Sequence, residues 1–122
     1  VAPGDYHLTV EKTSGQLKCR LGHQENVSGH RPSVDVLFTS VAKVVGSMAV
    51  GAILTGMGRD GATGLKAMRD AGAFTVGQSQ ASALVYGMPR VAFEEGAVCE
   101  QAPVEAIAAR LANAVSKIRN AA

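Results

Sequence analysis

Tryptophan is missing from this sequence, and only two tyrosines and three phenylalanines are present. The core must therefore come from Val, Leu, Ile, Ala and Met packed closely around 14 glycines. Scarce aromatics also remove the stacking platforms that single-stranded nucleic acid needs, and the Lys and Arg residues are scattered. With a formal charge of only +2, no nucleic-acid partner is expected. Cysteine is nearly absent: Cys19 and Cys99 lie far apart, without the paired ligands that a zinc site needs. No disulfide framework and no metal site follow, and both are expected to be buried free thiols in a reducing compartment. The uncharged run Val44 to Gly58 is interrupted by glycines and too short to span a bilayer, so no membrane insertion is expected. The opening Val1-Ala2-Pro3-Gly4-Asp5 lacks the basic-then-apolar order of a signal peptide, which predicts a cytoplasmic protein. It also begins without Met and passes at once into a turn, so a piece of something longer is expected.

What is present is globular: 47% hydrophobic and 18% charged residues over 122 positions, enough for one domain with one core. Tyr6 to Lys12 and Gln16 to Leu21 alternate around Thr13-Ser14-Gly15 and predict a β-hairpin, with Leu17, Cys19 and Leu21 on one face. After a polar loop, Pro32 is expected to open a helix whose buried stripe is Val34, Leu37, Phe38, Val41 and Val45, closed by Gly46. Val50 to Thr55 and Ala73 to Gly77 read as strands buried on both faces, separated by a helix over 61–71 with Gly72 as its C′ residue. Short helices are predicted over 81–86 and from Pro89 to Gly96, then a strand over 97–99. A terminal helix carries the stripe Val104, Ile107, Ala108, Leu111, Val115, Ile118. Strands alternating with helices predict an α/β fold: a doubly wound, mostly parallel sheet flanked by helices, with an N-terminal hairpin.

In such sheets function sits beyond the carboxyl ends of the strands, and the richest spot there is Thr55-Gly56-Met57-Gly58-Arg59-Asp60-Gly61. The glycines permit a sharp turn, and the following helix N-terminus favours negative charge. Gly56 to Gly61 also matches the G-x-G-x-x-G dinucleotide fingerprint. That reading needs an acidic residue after the next strand, where Gln78-Ser79-Gln80 stand, and Asp60 would repel a pyrophosphate. Taken locally, Asp60 is a cap for the helix that follows it.

Three blocks change that reading: Gly29-His30-Arg31-Pro32-Ser33-Val34-Asp35-Val36-Leu37-Phe38, Ile53 to Gly61, and Val85-Tyr86-Gly87-Met88-Pro89-Arg90, preceded by Ala2-Pro3-Gly4-Asp5-Tyr6-His7-Leu8. Together, in this order and over nearly the whole chain, they resemble the catalytic domain of CheB-type protein-glutamate methylesterases. The resemblance implies that residues 1–122 are the carboxyl-terminal portion of such a domain. It implies hydrolysis of glutamate methyl esters on the cytoplasmic helices of chemoreceptors, with release of methanol and deamidation of certain glutamines. It implies a Ser-His-Asp triad whose Asp is Asp60, an oxyanion site using the backbone N–H of Met57, substrate contacts around Gly56, Gly58, Ser82 and Tyr86, and no cofactor. A phosphorylated receiver domain in the parent protein is a further implication. One departure is the Gln78-Ser79-Gln80 segment, where the family tends to carry acidic residues.

None of Ser14, Ser28, Ser33, Ser40, Ser47, Ser79, Ser82 and Ser116 stands in a G-x-S-x-G elbow. His7 lies in the family's A-P-G-x-x-H-L block and is expected to shape the substrate loop, while His23 and His30 belong to a polar loop. The family's serine and base histidine precede everything here, so these residues alone are expected to be inactive. Without that segment, the Val50 and Ala73 strands are expected to expose a sheet edge. A CheB-like interaction module without catalysis and a nucleotide-binding domain are the alternatives.

Overall fold

The structure, a computed structural model, describes residues 1–121. It contains β1 (His7–Thr13), β2 (Gln16–Gly22), α1 (Val34–Val44), β3 (Val50–Ile53), α2 (Ala62–Asp70), β4 (Phe74–Gln78), α3 (Met88–Glu94), β5 (Glu100–Ala102) and α4 (Val104–Ala121). β3, β4 and β5 form a parallel sheet in chain order, and β1 and β2 form a separate antiparallel hairpin. On one face of the sheet Ile53 packs in a cluster with Leu65 and Met68 of α2, Ala92 of α3 and Val98, with Phe38 and Val41 of α1 behind. The other face carries Val76, Ala102 and Ile107 under α4. Helices on both faces make this the expected α/β architecture.

The free edge falls differently from the expectation. β4 is the central strand, paired on both sides, so of the two strands only β3 keeps an open edge. The hairpin does not cover it. Instead β1 stands with its own edge against α1, where Val10 N–H donates to Ser40 Oγ at 2.9 Å. Because β2 lies on the far side, Leu17, Cys19 and Leu21 share a face, as predicted, yet that face is exposed. Both cysteines are exposed thiols rather than buried ones.

Local backbone bonding explains the shifted boundaries. Ser33, not Pro32, is the N-cap of α1, so Pro32 lies outside the helix. Residues 81–86 do not form the expected helix: a single 3-10 turn, Gln80–Ser82, gives way to chain whose Val85 N–H and C=O are bound to Thr55 Oγ1 and Gly56 N–H. Ala97 cannot begin a strand, because its N–H closes the carboxyl end of α3 on Ala92 C=O at 2.9 Å, and β5 starts three residues later. Gly72, at φ 96°, is the C′ residue of α2 as expected. In α4 the buried residues are Ile107 and Ala114, with Leu111 and Ile118 beside them. Val104, Ala108 and Val115 of the predicted stripe face outward, since only the 107–111–114–118 line meets the sheet. Among the described residues no helix is long and apolar enough to cross a membrane.

Candidate active site

β3 delivers the chain at the carboxyl end of the sheet, and side chains from β4 and the 82–88 segment fix where it goes next. Thr55 N–H donates to Gln78 Oε1 at 2.7 Å, while Gln78 Nε2 donates to Ser82 C=O at 2.9 Å. Gln78 is buried with both ends of its amide satisfied, as burial of a polar group requires. Thr55 Oγ1 accepts from Val85 N–H at 2.8 Å, and Gly56 pairs with Tyr86 in an isolated parallel bridge. Gly56 C=O also accepts from Gly87 and Met88 N–H, at 3.2 and 2.8 Å. The turn thus leaves the sheet from a fixed starting point.

Met57 and Gly58 then run over the surface. The Met57 side chain is 83% exposed, and among the described residues no hydrogen bond engages either backbone N–H. Gly61 takes φ 103°, a left-handed conformation that reverses the chain into α2 at low steric cost only for glycine. Arg59 is tied to Glu95 beyond α3 by an ion pair. Between them Asp60 turns inward and is 6% exposed.

The expected cap of α2 is not what Asp60 provides. Its carboxylate reaches across to α1: Oδ1 accepts from Ser33 Oγ–H at 2.7 Å and Asp35 N–H at 3.1 Å, and Oδ2 accepts from Val34 N–H at 2.7 Å. α2 is capped in return by Asp35, whose Oδ1 accepts from Gly61 N–H at 3.0 Å and Gly64 N–H at 2.7 Å. Each helix lends a carboxylate to the other's positive end, which stabilises both charges and locks the two N-termini together. The arrangement satisfies the buried Asp60 carboxylate with three donors, none of them a cation among the described residues, and leaves acceptor capacity on Oδ2.

His7 supports this seat from behind. It is 1% exposed, with Nε2 against Glu25 C=O at 2.9 Å and Nδ1 against Ser33 N–H at 3.2 Å. Since an amide N–H can only donate, Nδ1 is the acceptor and Nε2 carries the proton. Ser33, His7 and Asp60 therefore do not form a triad: the hydroxyl donates to the carboxylate, and the imidazole faces backbone groups. His23 and His30 lie in the exposed loop, His23 beside the Tyr6 ring at 5.1 Å between centroids.

Of the residues singled out in the sequence, Met57, Gly58 and Asp60 share one turn, and Gly56 and Tyr86 are bridged beside it. Tyr86 Oη accepts from Gln101 Nε2 at 2.8 Å. Ser82 is joined to the turn through Gln78, and its hydroxyl accepts from Val104 N–H at 3.0 Å at the start of α4. Exposed Leu54, Met57, Leu84 and Val85 give this end of the sheet an apolar rim. A groove of about 580 Å³ between the hairpin and α1, lined by residues such as Thr9, Asp35, Thr39 and Lys43, adjoins the paired helix caps at Asp35. Sequence reasoning missed Ser33, Asp35 and Gln78. The S-V-D at a helix start was a readable capping signal, but its partners lie 25 to 29 residues away.

The model of the CheB methylesterase family matches residues 1–111. The protein-glutamate methylesterase/protein-glutamine glutaminase of Sulfurimonas denitrificans is 50% identical over 117 residues, 96% of this chain and 33% of the relative. The corresponding protein 1 of Caulobacter vibrioides is 66% identical over 102 residues, 83% of this chain and 29% of the relative. The crystal structure of the Thermotoga maritima CheB methylesterase catalytic domain superposes with a TM-score of 0.86 at 30% identity, over 89% of this chain and 58% of that one. The chain thus spans about a third of the length of the curated relatives it matches. With a family model covering all but its last residues and a matching catalytic-domain fold, the chain belongs to the CheB methylesterase family.

Proposed function

We propose that these residues are the carboxyl-terminal portion of a methylesterase catalytic domain. It hydrolyses glutamate methyl esters on chemoreceptor cytoplasmic helices, releasing methanol, and deamidates glutamines as its relatives' names describe. The observation that carries the reading is the Asp60 carboxylate, buried at the carboxyl end of the sheet, held by three donors from α1 and still able to accept one more. Such an acceptor fixes a histidine's tautomer and stabilises the imidazolium formed as a serine attacks the ester. The serine and histidine come from outside these 122 residues. Met57 N–H donates to the developing oxyanion, a role supported by its freedom from other hydrogen bonds on a braced turn. Gly58, beside open space, keeps that turn accessible to substrate, and Gly56 helps shape the substrate site by letting Met88 pack directly against the turn. Tyr86 walls it, and Ser82 shapes the rim through the segment it anchors. The setting is the cytoplasm, and a receiver domain in the parent protein regulates access.

Asp60→Asn in the complete domain tests this. The amide NH2 replaces an accepting carboxylate oxygen with a donor, which cannot receive the imidazole N–H, so kcat falls by about 10³–10⁴ while the fold survives. Turnover within tenfold of the parent refutes the assignment. A module that binds receptors without catalysis is the second reading, favoured only by the absence of a serine elbow here. It predicts no methanol release even from the full-length protein.

A further inference from the structure

We infer that Ser33 is a positioning residue for the Asp60 carboxylate, its hydroxyl deciding which carboxylate oxygen is left for the imidazole. The inference rests on the reading of Asp60 as triad acid. Ser33 is the N-cap of α1, and a serine there ordinarily turns its hydroxyl back onto its own helix. Here it makes no such bond. At 2% exposure the hydroxyl donates instead to Asp60 Oδ1 at 2.7 Å, and Asp60 caps α1 in its place.

The rest of Ser33 is fixed as well. Its N–H is held by His7 Nδ1 at 3.2 Å, and His7 is anchored in turn on Glu25 C=O at 2.9 Å. The hydroxyl torsion is the remaining freedom, and Asp60 Oδ1 takes it. With Ser33 and Asp35 both on Oδ1 and Val34 alone on Oδ2, the open lone pair lies on Oδ2. An imidazole N–H meeting Asp60 is thereby steered to one oxygen and one plane.

The hydroxyl also draws negative charge away from the bond to the imidazole. Removing it leaves more of that charge to stabilise the imidazolium, so the histidine holds its proton to higher pH. A merely structural serine would alter stability or turnover without that shift. This separates the two roles.

The test uses the complete methylesterase domain and methanol release from methylated receptor across the pH range. Ser33→Ala is expected to lower kcat by about tenfold with little change in KM, and to move the acidic limb of kcat/KM upward by about half a pH unit or more. Ser33→Thr, which keeps the hydroxyl, restores both. Ser33→Gly, which lacks the hydroxyl but suits an N-cap, repeats the shift and serves if the alanine variant fails to fold. An acidic limb unmoved in Ser33→Ala or Ser33→Gly overturns the proposal. Asp60→Asn is assayed in parallel: if it is inactive while the limb stays put, the role of Ser33 alone has failed. If Asp60→Asn turns over normally, the triad reading has failed and the role of Ser33 with it.

Discussion

The seat of Asp60 depends on how closely α1 and α2 approach, and Gly64 sets that distance. A Cβ at Gly64 would lie 2.7 Å from Phe38 Cβ and 3.0 Å from both Cα and O of Asp35. Two of those atoms are backbone, so a rotamer change cannot relieve the contact. Gly64→Ala therefore opposes two effects. Alanine gains about 0.8–1 kcal/mol of helix propensity. Forcing a methyl into a filled contact costs about 1–3 kcal/mol, toward the upper part of that range when backbone must move. The net expectation is a loss of about 1–2 kcal/mol, or roughly 4–8 °C in Tm for a chain of this size. The separation must show at the caps, because Asp60 to Val34 and Asp35 to Gly64 both bridge the same gap. Urea unfolding should give a lower midpoint at unchanged slope, and amide exchange at Val34, Asp35 and Gly61 should accelerate more than in β4. A variant as stable as the parent, or more so, would mean that propensity wins and that α1 and α2 are not in hard contact.

Two further predictions concern the surface. Cys19 and Cys99 should both react with a thiol reagent in the folded protein, Cys19 first, because Cys99 Sγ is engaged by Thr75 Oγ1 at 3.4 Å. Mass spectrometry of the partially labelled protein reads the order, and protection of both thiols would contradict it. Asp5 is bound by Arg31, whose hydrogen bond holds its carboxyl below the usual value of 3.8, with the Arg31 and His23 charges adding to this and desolvation opposing it. Because the folded value is the lower one, the stabilising contribution is present above 3.8 and fades as pH falls through the folded value. Exchange of the Asp5 amide, bonded to Arg31 C=O, should follow that course in the parent and lose its dependence in Asp5→Asn.

The sequence made parts of this legible because some signals are local. Apolar spacing at Phe38 and Val41, and at Leu65 and Met68, marks faces that any helix there would have to bury. The same logic found the hairpin and the first two strands of the parallel sheet. It misplaced the last strand because Ala97 and Val98 are buried, yet Ala97 spends its N–H on α3. Residues 81–86 were misread because helix propensity there yields to Thr55 and Gly56, thirty residues away in the chain. The Asp60 turn was found from its glycines, but the choice of α1 over α2 as the helix it caps is a tertiary fact. So is the exposure of Cys19, which depends on β1 rather than β2 meeting α1.

The central claim is that Asp60 serves a serine and a histidine lying outside these residues, and a serine-directed phosphonate or sulfonyl fluoride tests it most directly. The full-length protein is labelled, digested and mapped, beside Asp60→Asn. The expected result is a single modified serine outside 1–122, with labelling strongly slowed in the variant. A label on any serine within these residues, or equal labelling in Asp60→Asn, would contradict it.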